Sequence, residues 1–182
     1  MVDTSRTQDT LLTTIFNDSQ ADSSITAQDM RDLIVSLSPT LGVGQFNTPA
    51  VFTVATSGVW VGVDTGTTQL INGTTDIDMP LDGRIRYIGV ANRHFALSIS
   101  ISATVAGNNQ DCRFRITKNG SPMTETITGR SWGTGTDEGS LSLMTGTTLS
   151  TNDYIEIEVV NDSSTGDITI VNGVIILHGF IL

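Results

Sequence analysis

Most of the chain, from about residue 50 onward, alternates between apolar and polar residues with a period of two. The clearest example is Leu97–Val105, where Leu, Ile, Ala and Val occupy every second position and Ser and Thr lie between them. This period places successive side chains on opposite faces of a strand, so it predicts a β-strand with one buried face. Related patterns predict strands at Val51–Val54, Val59–Val63, Gln69–Ile71, Ile85–Val90, Cys112–Thr117, Met123–Ile127, Leu141–Leu143, Ile155–Val159 and Asp167–Ile170.

Turn signals separate these segments. Asn119-Gly120 lies between two predicted strands, and this dipeptide tolerates the positive φ angles of a two-residue hairpin loop. The final segment, Val174–Leu182, is apolar at consecutive positions, which predicts that both of its faces are covered. Nine to eleven strands of this kind predict an antiparallel β-sandwich or barrel.

The first 47 residues follow a different pattern. Thr26 can cap a helix that Asp29 supports in its first turn, and Pro39 ends it, so a helix is predicted over about residues 26–37. The apolar residues at helical spacing are Ala27, Met30, Leu33, Ile34 and Leu37, whereas Arg31, Asp32 and Ser36 are predicted to face away. Three turns are too short to be stable alone in water, so this helix must dock either on its own body or on a neighbouring subunit.

Leu11, Leu12, Ile15 and Phe16 form a second apolar group upstream, either on another short helix or on an extended arm that inserts into a partner. The segment from Pro39 to Pro49 contains two glycines and is interpreted as a linker. The predicted organisation is therefore an arm over residues 1–47 and a β-domain over residues 48–182.

Composition narrows the possible partners. Thr and Ser together make up about a quarter of the chain, only 15% of the residues are charged, and the net charge is −10. The few basic residues are spread along the sequence, so nucleic-acid binding is not expected. The apolar runs are too short to cross a bilayer. The first residues, MVDTSRTQDT, lack the features of a secretory signal, and Cys112 is the sole cysteine, so we expect a soluble protein made in a reducing cytoplasm.

The sequence offers no convincing active site. Glu156 and Glu158 lie on one face of a predicted strand, but the alternation places them on a solvated outer face rather than in a cleft. Asp76, Asp78 and Asp82 lack the spacing of a calcium loop. His94 and His178 have no nucleophile motif near them, and His178 is expected in the core or in an interface. We therefore predict no enzyme, no metal and no cofactor.

Two stretches resemble known proteins. Residues 25–37, ITAQDMRDLIVSL, resemble a short helix in the N-terminal part of tailed-bacteriophage head-fibre, tail-fibre and capsid-decorating proteins. Residues 149–161, LSTNDYIEIEVVN, are similar to the last strands of C1q/TNF-like jelly rolls, with Asn152 in place of the usual glycine. The resemblance implies a mainly β, antiparallel jelly-roll β-sandwich that forms a homotrimer. The strand near the three-fold axis would contribute Val174, Ile176, His178 and Phe180.

The resemblance also implies attachment of the arm to a virion. We therefore predict a capsid decoration (cement) protein, made in the host cytoplasm and located on the outer surface of the capsid. Its contacts with the major capsid protein would come from Leu11, Leu12, Ile15, Phe16, Met30, Leu33, Ile34 and Leu37. The alternative is a receptor-binding head-fibre or tail-fibre tip protein. Aromatic residues make up only 5% of the chain and do not cluster in the sequence, which favours decoration.

Overall fold

The computed structural model describes residues 27–37, 40–46, 49–64, 68–73, 76–134 and 137–180. In these ranges one helix, α1 (Ala27–Leu37), precedes twelve strands that pair antiparallel in two six-stranded sheets. The helix matches the predicted one and begins one residue after the predicted cap.

The first sheet, sheet I, has the spatial order β10-β7-β12-β1-β4, and β2 pairs with β12. Its strands are β1 (Leu41–Phe46), β2 (Ala50–Phe52), β4 (Thr68–Gly73), β7 (Arg93–Val105), β10 (Gly139–Leu149) and β12 (Ile168–Phe180). The second sheet, sheet II, has the order β5-β6-β11-β8-β9, and β3 pairs with β11. Its strands are β3 (Val61–Gly62), β5 (Ile77–Leu81), β6 (Arg84–Tyr87), β8 (Gln110–Lys118), β9 (Ser121–Trp132) and β11 (Tyr154–Asn161).

The chain passes repeatedly from one sheet to the other. After β6 in sheet II it enters β7 in sheet I, returns for the β8–β9 hairpin, and then places β10, β11 and β12 in alternating sheets. Each sheet therefore combines strands that are far apart in sequence, which is the topology of a jelly roll. The predicted fold class, an antiparallel jelly-roll β-sandwich, is confirmed.

The core lies between the two sheets and is built from the residues at alternate positions of each strand. In β7 the apolar set predicted from the sequence points inward, and each member is at most 1% exposed: Leu97, Ile99, Ile101, Ala103 and Val105. Large rings fill the rest of the space, with Tyr87 packed edge-on against Phe95 at 5.2 Å between ring centroids and Phe114 beside Trp132. The predicted hairpin turn is present, with φ of 52° at Asn119 and 72° at Gly120.

Strand β1 corrects the prediction of a linker between Pro39 and Pro49. Leu41–Phe46 pairs with β12 on one side and with β4 on the other, so it is an internal strand of sheet I. Its inward positions are Gly42, Gly44 and Phe46, and the two glycines hid the strand from the hydrophobic pattern. A Cβ at Gly42 would lie 2.6 Å from Cγ2 of Ile77, so the opposite sheet leaves no room for a side chain.

Gly42→Ala is expected to lower the free energy of unfolding by about 1–3 kcal/mol, because the added methyl group forces the two sheets apart. Gly62→Ala is the matched control, since its new Cβ would meet nothing nearer than Cγ of Asp64 at 4.0 Å. Urea unfolding curves measure both changes. Equal midpoints for the two variants would show that the sheets do not pack as described.

A carboxylate holds the turn between β10 and β11. Oδ2 of Asp153 accepts a 2.9 Å hydrogen bond from the Ser150 amide and Oδ1 accepts a 2.7 Å hydrogen bond from Asn119 Nδ2. The ammonium of Lys118 lies 3.0 Å from Oδ2. Partial burial acts to raise the pKa of Asp153, but these three contacts outweigh burial and lower the pKa below its ordinary value.

Asp153→Asn is expected to destabilise the protein at pH 7 by about 1–3 kcal/mol, because the charged acceptor is lost. A lowered carboxyl pKa contributes stability above the unfolded pKa, and this contribution disappears as the pH falls through the folded value. The difference between the wild type and Asp153→Asn in urea unfolding should therefore shrink below about pH 4. A difference that stays constant down to pH 2 would contradict the role given to the carboxylate.

Candidate functional site

The outer face of sheet I carries an apolar strip along its two central strands. The outward positions of β1 and β12 include Leu41, Val43, Val174, Ile176 and Phe180, which we call the apolar ridge. Register places the members side by side: Val43 pairs with Ile176, and Leu41 pairs with His178. Phe180 is 45% exposed, whereas the four aliphatic members are half-buried.

Beside the ridge, the part of this face on β7 and β10 is built mainly from small side chains. The outward residues of β7 opposite the ridge are Ala96, Ser98 and Ser100, which pair with His178, Ile176 and Val174. Outside β7, strand β10 adds Ser, Gly and Thr together with Met144, which is 73% exposed. The outer face of sheet I therefore has two unlike halves, an apolar ridge on β1 and β12 and a flat, small-residue floor on β7 and β10.

The structure brings the four predicted trimer residues together on this face. Val174, Ile176, His178 and Phe180 all point outward from β12, and the rings of His178 and Phe180 lie 5.1 Å apart. In the single chain the outward face of this segment is open at His178 and Phe180, so the prediction that both of its faces are covered concerns the assembled protein and stays a prediction. Only the inward residues, such as Ile175 and Leu177, are buried in the core, so of the two positions predicted for His178 the core is excluded.

The predicted capsid-binding residues divide into two groups. Leu11, Leu12, Ile15 and Phe16 lie outside the described residues. On α1, Met30 is 45% exposed, Ile34 is 60% exposed and Leu33 is half-buried, while Leu37 is the last helical residue. Asp32, which was predicted to face away from the apolar stripe, is 1% exposed. The helix therefore presents part of its apolar stripe to solvent and buries an acidic residue.

The outer face of sheet II is charged, and its charges neutralise one another. Glu156 accepts a 2.8 Å hydrogen bond from Nε of Arg84, and Glu158 accepts one of 2.6 Å from Nε of Arg115. Asp78, one of the residues considered for calcium, is held by both Nε and Nη2 of Arg86. Glu156, Glu158 and Asp78 are thus each bound to a separate guanidinium.

Other reactive groups in the described residues are also occupied or shielded. Burial raises the pKa of the Cys112 thiol to about 12, with Asp162 and Asp111 adding to the shift, so the thiolate is scarce at neutral pH. Nδ1 of His94 lies within hydrogen-bond distance of the Thr148 hydroxyl, at 3.0 Å. Within the described ranges, no three His, Cys, Asp or Glu side chains are grouped so as to hold a metal ion. The eleven-residue helix is too short to span a membrane.

The sequence reasoning missed two of the five residues of the apolar ridge, and also Met144 of the neighbouring floor. Leu41 and Val43 were assigned to a linker because the residues between them are glycines, and Met144 lay beyond the end of a predicted three-residue strand. Leu41, Val43 and Gln45 do alternate with Gly42 and Gly44. This period-two pattern could have predicted the strand, but only if glycine had been counted among the residues that face the core.

No protein-family model and no curated protein matches the sequence. Solved structures with a similar fold include murine APRIL at pH 8.5, with 9% identity, a TM-score of 0.48 and coverage of 77% of this chain and 98% of that chain. The PRD1 vertex protein P5 has 11% identity and a TM-score of 0.47, with coverage of 79% of this chain and 73% of that chain. Eiger TNF from S. frugiperda also has 11% identity and a TM-score of 0.47, with coverage of 79% of this chain and 94% of that chain. The fold assignment rests on the strand order described above.

Proposed function

We propose that this chain is a structural protein of a phage virion that decorates the capsid: a homotrimer assembled through the outer face of sheet I and attached to the major capsid protein through its N-terminal arm. The apolar ridge is the observation that carries this proposal. An exposed apolar surface flanked by polar residues is typical of a protein–protein interface, and this ridge lies on a rigid sheet rather than on a loop.

The two unlike halves of the face complement each other, and a ring is one closed arrangement in which the ridge of each subunit meets the floor of the next. The ridge on β1 and β12 fits against the small-residue floor on β7 and β10 of a neighbour. The number three comes from the similarity of residues 149–161 to C1q/TNF-like jelly rolls.

The arm supplies the second contact. The exposed Met30 and Ile34 occupy the stripe of α1, and the same segment carries the sequence that resembles the helix of phage head proteins. Residues 1–40 contain six Asp and two Arg, so a basic surface on the capsid would attract this arm. Three weak arms on one trimer bind together far more strongly than one, because the second and third contacts are intramolecular.

Ile176→Glu is expected to dissociate the oligomer, because it places a charge in the middle of the ridge. Ile127→Glu is the matched control, since Ile127 is also an outward isoleucine, 38% exposed, but on sheet II. Sedimentation equilibrium should give a monomer mass of 19.4 kDa for Ile176→Glu and the wild-type oligomer for Ile127→Glu. Dissociation by both variants, or by neither, would contradict the assigned interface.

Ile34→Asp is expected to abolish binding to undecorated capsids while the oligomer remains intact. Leu81→Asp is the control, because Leu81 is 58% exposed and Ile34 is 60% exposed, yet Leu81 lies on β5 far from the arm in sequence. Co-sedimentation with particles measures binding, and the temperature of capsid rupture should rise with wild type and with Leu81→Asp only. Full binding by Ile34→Asp would show that the helix is not the contact.

A further inference from the structure

A polar groove lies on the outer face of sheet II, at the end of the sandwich opposite the arm. The arm enters beside Thr40, whose carbonyl accepts a 2.7 Å hydrogen bond from the Gly179 amide at the end of β12. The groove lies on the first residues of β8 and the last residues of β9, near the opposite end of β7, whose thirteen residues span roughly 40 Å at 3.3 Å per residue of strand. It has a volume of about 320 Å³ and is lined by Asp111, Cys112, Arg113, Gly129, Arg130, Ser131 and Asp162. A capsid-bound arm would leave this end of the molecule facing outward.

The groove exists because a glycine faces an arginine across two strands. Gly129 on β9 pairs with Arg113 on β8, so one wall has no side chain at that point. A Cβ there would lie 3.0 Å from Cγ of Arg113, which means that the arginine stem already occupies the adjoining space. The result is an open depression whose rim carries planar polar groups.

These polar groups are held in place before any ligand arrives. Nε and Nη2 of Arg113 donate hydrogen bonds of 2.6 and 2.7 Å to the two carboxylate oxygens of Asp162. On the other side, the hydroxyl of Ser131 donates to Oδ1 of Asp111. A fixed carboxylate or guanidinium retains further acceptor or donor positions that match paired hydroxyl groups.

Hydrogen bonds of a buried side chain hold the loop that carries Asp162 in place. The side chain of Asn161 is fully buried, and its Nδ2 donates 3.0 Å hydrogen bonds to Oε1 of Gln110 and to the carbonyl of Gly166. Its Oδ1 accepts a 3.0 Å hydrogen bond from the Ser163 amide. Because the loop is fixed, binding at the groove has little ordering entropy to overcome.

An aromatic ring borders the groove. Trp60 is half-buried on the outer face of sheet II, with its ring centroid 4.0 Å from Cζ of Arg115 and 5.5 Å from Cζ of Arg113. It immediately precedes β3, so the register of Val61 with Val159 places it beside Val160. Val160 points outward and is fully buried, although it lies outside the main core. Trp60 therefore forms a supported platform next to the polar rim.

The charges of the groove balance. Asp111 and Asp162 are acidic, Arg113 and Arg130 are basic, and the remaining lining residues are neutral. Arg113 is already paired with Asp162, and Arg130 lies 3.7 Å from Asp137, so an anionic ligand would have to compete with these carboxylates, whereas a polyhydroxylated neutral ligand can bond to donors and acceptors at once. Its apolar C–H face would pack against the part of the Trp60 ring that the guanidinium of Arg115 does not cover.

We propose that this groove, with Trp60 at its border, binds a neutral saccharide. The open shape and the small number of contacts imply millimolar affinity for one site. Several copies on one particle would raise the overall avidity for a glycan-covered surface. Such an activity is separate from capsid attachment and does not depend on it.

The test is a titration of the full-length, ¹⁵N-labelled chain with maltotriose, triacetylchitotriose, galactobiose and methyl mannoside. Trp60 and Trp132 give two indole N–H signals, and Trp132 is buried with its Nε1 donating a 3.1 Å hydrogen bond to the Ala103 carbonyl. At least one of these sugars should shift the Trp60 signal with a millimolar dissociation constant and leave the Trp132 signal in place.

Two variants and one control accompany the titration. Trp60→Ala should weaken binding, followed by the saturation-transfer signal of the sugar, by at least about tenfold. Ser131→Gln should weaken binding to a similar degree. Its longer, exposed side chain would fill the groove and leave the Trp60 ring unchanged. Val90→Ala, at an exposed position between β6 and β7, should bind as wild type does. The proposal is overturned if none of the four sugars shifts Trp60, if Ser131→Gln binds normally, or if sialyllactose binds more tightly than every neutral sugar.

Discussion

A two-sheet sandwich buries one face of each strand, and strand β12 carries apolar side chains on both. Ile175 and Leu177 point into the core, while Val174, Ile176 and Phe180 point away from it. At about 25 cal/mol per Å² of apolar surface, leaving such a strip in water forgoes several kcal/mol that an interface would recover. Neighbouring β1 adds Leu41 and Val43 to the same strip, so the apolar surface left in water is concentrated on these two adjacent strands. The proposed oligomer follows from this constraint.

The two outer faces are chemically opposite, and the difference suits an assembled particle. Sheet I presents Ser, Ala, Gly and aliphatic residues, which can approach another chain closely without leaving buried charges unpaired. Sheet II presents arginines that are paired with their own acidic partners, such as Arg84 with Glu156 and Arg115 with Glu158. These cations are neutralised within the chain, and the net charge of −10 would repel other polyanions.

The sequence was informative wherever a residue type had one physical meaning. The alternation in Leu97–Val105, the Asn119-Gly120 turn and the helix over Ala27–Leu37 were all predicted, because strand period, positive φ and helical spacing are local properties. Strand β1 was missed because its inward residues are glycines, whose role is set by Ile77 and Met79 on the opposite sheet. The groove beside Trp60 was missed because it, too, depends on contacts between segments that are distant in sequence. Trp60, Arg113 and Asp162 are brought together only by the pairing of β3, β11 and β8, which no local pattern encodes.

The most direct test of the central claim is the solvent accessibility of the ridge in the intact protein. The native Cys112 is buried and its raised thiol pKa of about 12 keeps it unreactive, so a cysteine introduced by Ile176→Cys can be followed alone with a thiol reagent. The account predicts that this thiol is protected at protein concentrations that maintain the oligomer and reacts freely after dilution to monomers, whereas Ile127→Cys reacts rapidly throughout. Rapid labelling of Ile176→Cys at every concentration would show that nothing covers the ridge and would contradict the proposed assembly.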